Sequence, residues 1–375
     1  MVFKSAQVFI DKNFCYADVE VKNGVIINIS DKISSDDFID LTGKMLLPGL
    51  VDIHTHGCLG FDFCTADTSD ISKMTDFYLS HGVTSILATI ITCKEERLKA
   101  SVSTINKCIS DDSFPSIIRG INLEGPFFSH DKKGAHDPRY LRPLDDALLR
   151  ELDSLSGNNI RLLDIDPMLE GSIPFIKKHS KTRTISLAHT SCDYELAWEA
   201  IKAGASHISH LFNAMNGIHH REPGLIGAFW DNDVYGELIC DGFHIHPSVI
   251  RLMFKSNAEK IILISDSISA AGLSDGEYFS GGQRITVHDK KATLQNGTIA
   301  GSTISLYDGL KNAIAYGIPP EQATLSATIS PAKSVGIDKL VGSIEVGKRA
   351  DLLVTDQNFE LLSVFVGGAE YKKNQ

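Results

Sequence analysis

Side chains able to ligate a metal or move protons fall, repeatedly, at the ends of short apolar runs. His54 and His56 follow the run 50–53, Glu124 follows 118–123, and His189 follows 184–188. His210 closes 206–210, Asp241 and His244 follow 237–240, and Asp266 follows 261–265. Fourteen histidines scattered at random would not choose these places. In His54-Thr55-His56 the two imidazoles lie on one side of an extended chain, because side chains alternate with period two. Such a nitrogen pair suits Zn or Fe, although an isolated pair of this kind is equally compatible with packing. Glu124 stands between an apolar run and Gly125-Pro126, so it is expected to be partly buried. A buried carboxylate requires a cation, either a metal ion or a lysine or arginine. A single histidine closing an apolar run is more often a satisfied core group. Two of them, His189 and His210, beside a buried glutamate are better explained as metal ligands. Asp266 is the best single candidate for proton transfer: a metal-dependent hydrolase needs one carboxylate to take a proton from water and return it to the leaving nitrogen. The alternative for Asp266 is a helix cap.

Other reactive types read as background. His207 alternates to the face opposite His210 and is expected to be structural, while His81, His130, His179 and His288 have no comparable setting. Cys58 and Cys64 flank a glycine-containing loop, where packing is favoured over metal binding.

Eight apolar, β-rich runs position the polar residues: 50–53, 84–88, 118–123, 160–165, 184–188, 206–210, 237–240 and 261–265. Helix-like segments separate them. In one, Asp193 is placed to cap, Leu196, Ala197, Ala200 and Ile201 form an apolar stripe, and Gly204 terminates it. Eight strands alternating with helices is the count for an α/β fold of the (β/α)8 TIM-type barrel class, with a doubly wound open sheet as the rival. In a barrel the listed polar positions share the rim at the carboxyl ends of the strands, where catalysis is sited. The chain ends alternate like strands. Asn23-Gly24 is a hairpin signal between 18–21 and 25–29, and 351–355 and 363–366 read as strands near the other end. A small β-sandwich domain made from both ends (1–46 and 340–375) is therefore expected around a catalytic barrel (47–339). A β-hairpin insertion is expected near 276–301, with turn signals at Gly281-Gly282, 287–290 and 295–298.

Composition narrows the function classes. The chain has 375 residues, 43% hydrophobic and 22% charged, which excludes a largely disordered chain. A net charge of −11 argues against nucleic acid as a partner. Neither GxxxxGK[ST] nor GxGxxG stands in its proper context, which argues against a nucleotide cofactor. The N-terminus lacks the apolar core of a signal peptide, and runs such as 261–264 are far short of a membrane span, so no membrane association is expected. Seven cysteines, an odd number without a CxxC pair, read as reduced thiols in a cytoplasmic protein.

Several blocks occur in a fixed order: PGLVDIHTHG (48–57), NLEGPF (122–127), KKGAHDP (132–138), LAHTS (187–191), SHLFNAMNGIHHREPGLIGA (209–228), ICDGFHIHP (239–247), LISDSISAAG (263–272), TIAGS (298–302), SPAKSVGI (330–337) and GSIEVGKRADLLV (342–354). Together they resemble the N-acetylglucosamine-6-phosphate deacetylases of the amidohydrolase superfamily, from about residue 40 to the C-terminus. The resemblance implies Glu124, His189 and His210 as principal metal ligands, Asp266 as catalytic acid and base, and His54 and His56 as ligands available to a second metal. One or two divalent ions (Zn, Fe, Mn or Co) per subunit follow. It implies substrate contacts at Ala135, His136, Asn213, Ala214, Arg221, His244, Ile299, Ala300, Gly301 and Ser302. It also implies a homodimer in which Arg221 or His244 serves the neighbouring subunit. No lysine follows the fourth run, where Asp164-Ile165-Asp166-Pro167 stands, so Glu124 would be the anionic ligand. The guanidinium of Arg221, in a loop, suits a phosphate. His219 and His220, just before it, depart from the family pattern and are expected to be solvated loop residues rather than phosphate contacts. The implied reaction is hydrolysis of the acetamide of N-acetyl-D-glucosamine 6-phosphate. The alternatives are the galactosamine epimer, another amidohydrolase reaction, or a catalytically silent sugar-phosphate sensor.

Overall fold

A computed structural model describes residues 1–111 and 117–372. Eight parallel strands form one sheet: β1 (Leu50–Thr55), β2 (Val83–Ile91), β3 (Ile118–Glu124), β4 (Ile160–Ile165), β5 (Thr184–Leu187), β6 (His207–Ile208), β7 (Tyr235–Ile239) and β8 (Ile261–Ile264). Their runs are almost wholly buried, as expected of strands covered on both faces. Each strand pairs with its sequence neighbour, β1 to β8 in order. A doubly wound sheet would reverse direction at a switch point, so the monotonic order excludes it. The seam between β8 and β1 is drawn together where the Asp266 amide donates to the His54 carbonyl at 2.9 Å and Thr55 bridges Ser267. Every strand is followed by a helix before the next, from Thr68–Ser80 after β1 to Leu306–Ala315 after β8. In Tyr194–Ala203, Asp193 caps the N-terminus by accepting from the Leu196 amide, and Gly204 ends it. This is a (β/α)8 barrel.

The amino end of the barrel is plugged by Ala332, Val335, Ile337 and Val341 packed on Val51, Leu162, Ile262 and neighbouring strand residues. The carboxyl end is left to polar groups. The strand β6 is shorter than its apolar run because Ser209 and His210 leave the ladder; His210 has φ +28°.

Both chain ends enter a second sheet. The strand Val2–Ile10 pairs antiparallel with Asn13–Lys22 and parallel with Met45–Pro48. On its other edge Met45–Pro48 pairs with Leu352–Thr355, which pairs in turn with Leu361–Val366. Asn23 (φ +52°) and Gly24 (φ +79°) make the two-residue turn into Val25–Ser30. Phe3, Val8, Val19, Ile26, Leu46, Leu352 and Phe365 form a separate core, so this is a small β-sandwich of its own. Gly49, where the chain passes into the barrel, lies so close to Thr84 that a Cβ would sit 2.0 Å from its Oγ1.

Residues 276–294 form a three-stranded antiparallel meander, Gly276–Ser280, Gln283–His288 and Lys291–Leu294. Its two tight turns are Gly281-Gly282 and Asp289-Lys290, all at positive φ. Among the described residues no helix is long and apolar enough to cross a membrane.

Candidate active site

The rim residues converge on one carboxylate. Glu124, the last residue of β3, is surrounded by five imidazole nitrogens: His189 Nε2 at 3.1 Å, His210 Nε2 at 3.2 Å, His56 Nε2 at 3.4 Å, and His54 and His136 Nε2 at 3.5 Å. Asp266 faces the same cluster, its Oδ1 3.2 Å from His56 Nε2 and 3.9 Å from His54 Nε2. The backbone is bent to achieve this. His189 (φ +50°), His210 (φ +28°) and Asp266 (φ +47°) each adopt a left-handed conformation just beyond their strands. That conformation costs about 1–2 kcal/mol for a residue with a Cβ.

The donor set fits a metal. The Lys132 carbonyl can only accept, so His189 Nδ1, 2.9 Å away, carries that ring's proton when neutral. The lone pair of His189 Nε2 then points at a carboxylate oxygen 3.1 Å away, an arrangement that needs a cation between them. Ligands about 2.0–2.1 Å from a zinc-like ion stand about 2.9 Å apart on an octahedral edge and about 3.3 Å apart on a tetrahedral one, and the observed spacings fall around these values. Three overlapping groups have this closeness: His54, Glu124 and His210; Glu124, His136 and His189; and His54, His56 and Asp266. All are buried. This is a divalent-metal centre in its ligand chemistry.

The charges agree. Burial pushes the Glu124 carboxyl up, but the imidazoles around it, His136 foremost, hold it well below the usual carboxylate range. Burial and the neighbouring His136 push His189 down to about 4. Burial opposes a charge on His54, yet Glu237 and Glu124 raise it well above an ordinary imidazole. Burial also works against the Asp266 carboxylate, and His56 and His54 outweigh it, so Asp266 is held below its ordinary value. The cluster of carboxylates thus calls for positive charge that protons supply when no ion is bound.

A cavity of about 340 Å³ opens above the cluster. His56, Glu124, His189, His210 and Asp266 line it, and so do Ala135, His136, Asn213, Ala214, His244, Ile299, Ala300 and Gly301. His54 lies behind this lining, fully buried. His136 Nδ1 is 2.8 Å from Thr92 Oγ1, and its ring packs edge-on to His189. His244 is fixed by Asp241, Nδ1 to Oδ2 at 2.7 Å. Two of the implied substrate contacts stand apart from the lining. Ser302 is buried below it, with its amide donating to the Asp266 carbonyl at 2.8 Å and its hydroxyl to the Ser265 carbonyl. Arg221 is exposed, and its Nη1 donates to His220 Nε2 at 2.7 Å. Sequence reasoning passed over Asp62, Thr89 and Ile91, and over Ile285 and Leu294 of the meander; it read Cys64 as packing and Gly281 as a turn, yet all of these line the cavity. Thr89 and Ile91 carried a signal in their place at the end of an apolar run; the meander residues carried none. His207 lies inside the barrel against Glu237, Nε2 to Oε1 at 3.0 Å.

The sequence profile of the Amidohydrolase family matches residues 45–371. The N-acetylglucosamine-6-phosphate deacetylase of Bacillus subtilis (strain 168) is 37% identical over 87% of this chain and 84% of its own length. That of Vibrio furnissii is 33% identical over 92% and 88%. The N-acetylgalactosamine-6-phosphate deacetylase of Escherichia coli O157:H7 is 32% identical over 87% of each. The crystal structure of N-acetylglucosamine-6-phosphate deacetylase from Pasteurella multocida superposes with a TM-score of 0.93 at 30% identity, covering 99% of both chains. With its rim cluster and its likeness along nearly the whole length, the chain belongs to the amidohydrolase family and, within it, to the N-acetylglucosamine-6-phosphate deacetylases.

Proposed function

We propose that the protein hydrolyses the acetamide of N-acetyl-D-glucosamine 6-phosphate to D-glucosamine 6-phosphate and acetate, in amino-sugar breakdown. The observation that carries this reading is the Glu124 carboxylate among five imidazole nitrogens with Asp266 beside them, at the floor of a cavity of sugar-phosphate size. Glu124, His189 and His210 would hold a divalent ion (Zn, Fe, Mn or Co), and His54 and His56 would be available to a second. Such an ion supplies a Lewis acid that lowers the pKa of water and draws charge from the acetyl oxygen.

The chain's own groups do the rest. Asp266, ionised, takes the proton of the attacking water and returns it to the departing nitrogen. His136, braced on Thr92, presents Nε2 to the developing oxyanion. Asn213, Ala214, Ala135, His244, Ile299, Ala300 and Gly301 hold the sugar and keep its phosphate away from the reacting bond. Ser302 acts from below, through the Asp266 backbone. The exposure of Arg221 fits a homodimer in which that guanidinium completes the phosphate site of the neighbouring subunit. We assign residues 47–339 to the catalytic domain and 1–46 with 340–375 to the small β domain, with the strand Met45–Pro48 and the barrel-plugging Val341 reaching across these bounds. A cytoplasmic location accords with seven free cysteines.

The similarity to an N-acetylgalactosamine-6-phosphate deacetylase supports one second reading, turnover of the 4-epimer. Acetate release measured with both acetylated sugar phosphates tests the assignment. The expected result is a higher kcat/KM for the glucosamine substrate. Preference for the galactosamine epimer would install the second reading, and no acetate from either would remove both.

A further inference from the structure

We infer that Glu237, in the middle of β7, is a positioning residue for the metal centre: it sets the tautomer of His54 and the backbone of His210 from inside the barrel, and His207 locks it in place. This rests on the reading of the rim cluster as a metal site. Glu237 is completely buried in a strand of apolar residues, and a carboxylate in such a place persists only with partners. It has three. Its Oε2 lies 2.9 Å from His54 Nδ1 and accepts from the His210 amide at 3.0 Å, while its Oε1 is 3.0 Å from His207 Nε2.

Each contact has a consequence for the ion. An ionised carboxylate only accepts, so His54 Nδ1 carries a proton. His54 Nε2, which finds no hydrogen-bond partner of its own, is left to present its lone pair toward Glu124 and Asp266. The bond to the His210 amide holds the chain where it leaves β6, the point at which φ +28° swings that imidazole to 3.2 Å from Glu124. His54 and His210 come from strands that are not neighbours in the barrel, and a single side chain fixes both. A buried carboxylate accepting from the far nitrogen also strengthens an imidazole as a metal donor. His207 does not line the cavity, and its Nε2 is committed to the second oxygen of Glu237, which prevents the carboxylate from rotating away.

The test is metal affinity, measured on the stripped full-length protein by competition for Zn(II) with a chromophoric chelator, together with the visible spectrum of the Co(II)-loaded form. Glu237→Gln keeps the shape but replaces one acceptor with an amide donor facing another donor. It is expected to weaken Zn(II) binding about 10–100-fold and to change the Co(II) spectrum. His207→Gln leaves the contacts to His54 and His210 in place. It is expected to weaken binding by a smaller factor, and it carries the test if the first variant does not fold. Wild-type affinity and an unchanged Co(II) spectrum in folded variants, with only their metal-free melting temperature lowered, would overturn the inference and leave Glu237 a purely structural group. A wild-type protein that takes up no ion would instead overturn the metal reading itself, and the inference with it.

Discussion

Asp164, on β4, is fully buried; its Oδ1 accepts from Ser209 Oγ at 2.6 Å, and its Oδ2 has no hydrogen-bond partner. Burial, only partly offset by His54, pushes its carboxyl from 3.8 to about 6. Between these values the folded chain keeps a proton that the unfolded chain has released. Stability therefore falls as pH rises through this window, and the full cost is present above it. A gap of about two pKa units at about 1.4 kcal/mol each amounts to ~3 kcal/mol. Asp164→Asn has no proton to lose and retains an oxygen to accept from Ser209. In the metal-free protein it is expected to be more stable than the wild type by about 2 kcal/mol at pH 5 and about 3 kcal/mol at pH 8, with most of the increase below pH 7. Urea unfolding of both proteins at a series of pH values measures this difference. A difference that does not change with pH, or a variant less stable than the wild type at pH 8, would show that the buried carboxylate is not protonated as its surroundings require.

Four further outcomes are expected. Asp266→Asn should retain its metal content while kcat falls about 10²–10⁴-fold, read by metal analysis beside acetate release. Arg221→Ala should raise KM for the phosphorylated sugar with little change in kcat, and an unchanged KM would remove it from the phosphate site. Gly301→Ala places a Cβ 2.5 Å from Ile268 Cγ2 and 2.9 Å from the Asp266 carbonyl at φ +62°. It should cost about 1–2 kcal/mol in backbone strain alone and lower kcat by displacing Asp266, as unfolding and steady-state kinetics would report. Stripping the metal should lower the melting temperature, by the equivalent of about 4 kcal/mol when the free ion stands at a thousand times its Kd, and calorimetry with and without chelator would detect it.

The barrel was legible in the sequence because its strands are buried on both faces and read as unbroken apolar runs punctuated by polar residues. The histidines and carboxylates at those punctuation marks could be gathered on one rim from strand count alone. Glu237 escaped notice for a related reason. It opens the run 237–240 rather than closing it, and nothing local distinguishes an inward glutamate that orients a ligand from one that is merely misplaced. The pairing of Met45–Pro48 between the two chain ends was equally hidden, since strand partners some 300 residues apart leave no periodic signature. The position of Arg221 outside the cavity could not be read from its motif, because a loop carries no pattern that fixes its direction.

That central strand has a bearing on synthesis. Met45–Pro48 has its partner Val2–Ile10 as soon as both are synthesised, but its other edge must wait for Leu352–Thr355. At 5–20 residues per second the ribosome takes roughly 15–60 s to deliver the missing partner. Throughout that interval the nascent chain carries an open apolar edge able to pair with the wrong strand. A truncation that removes Leu352–Thr355 should leave that edge open for good, so that added chaperone does not restore the folded protein, whereas the full chain closes it on completion.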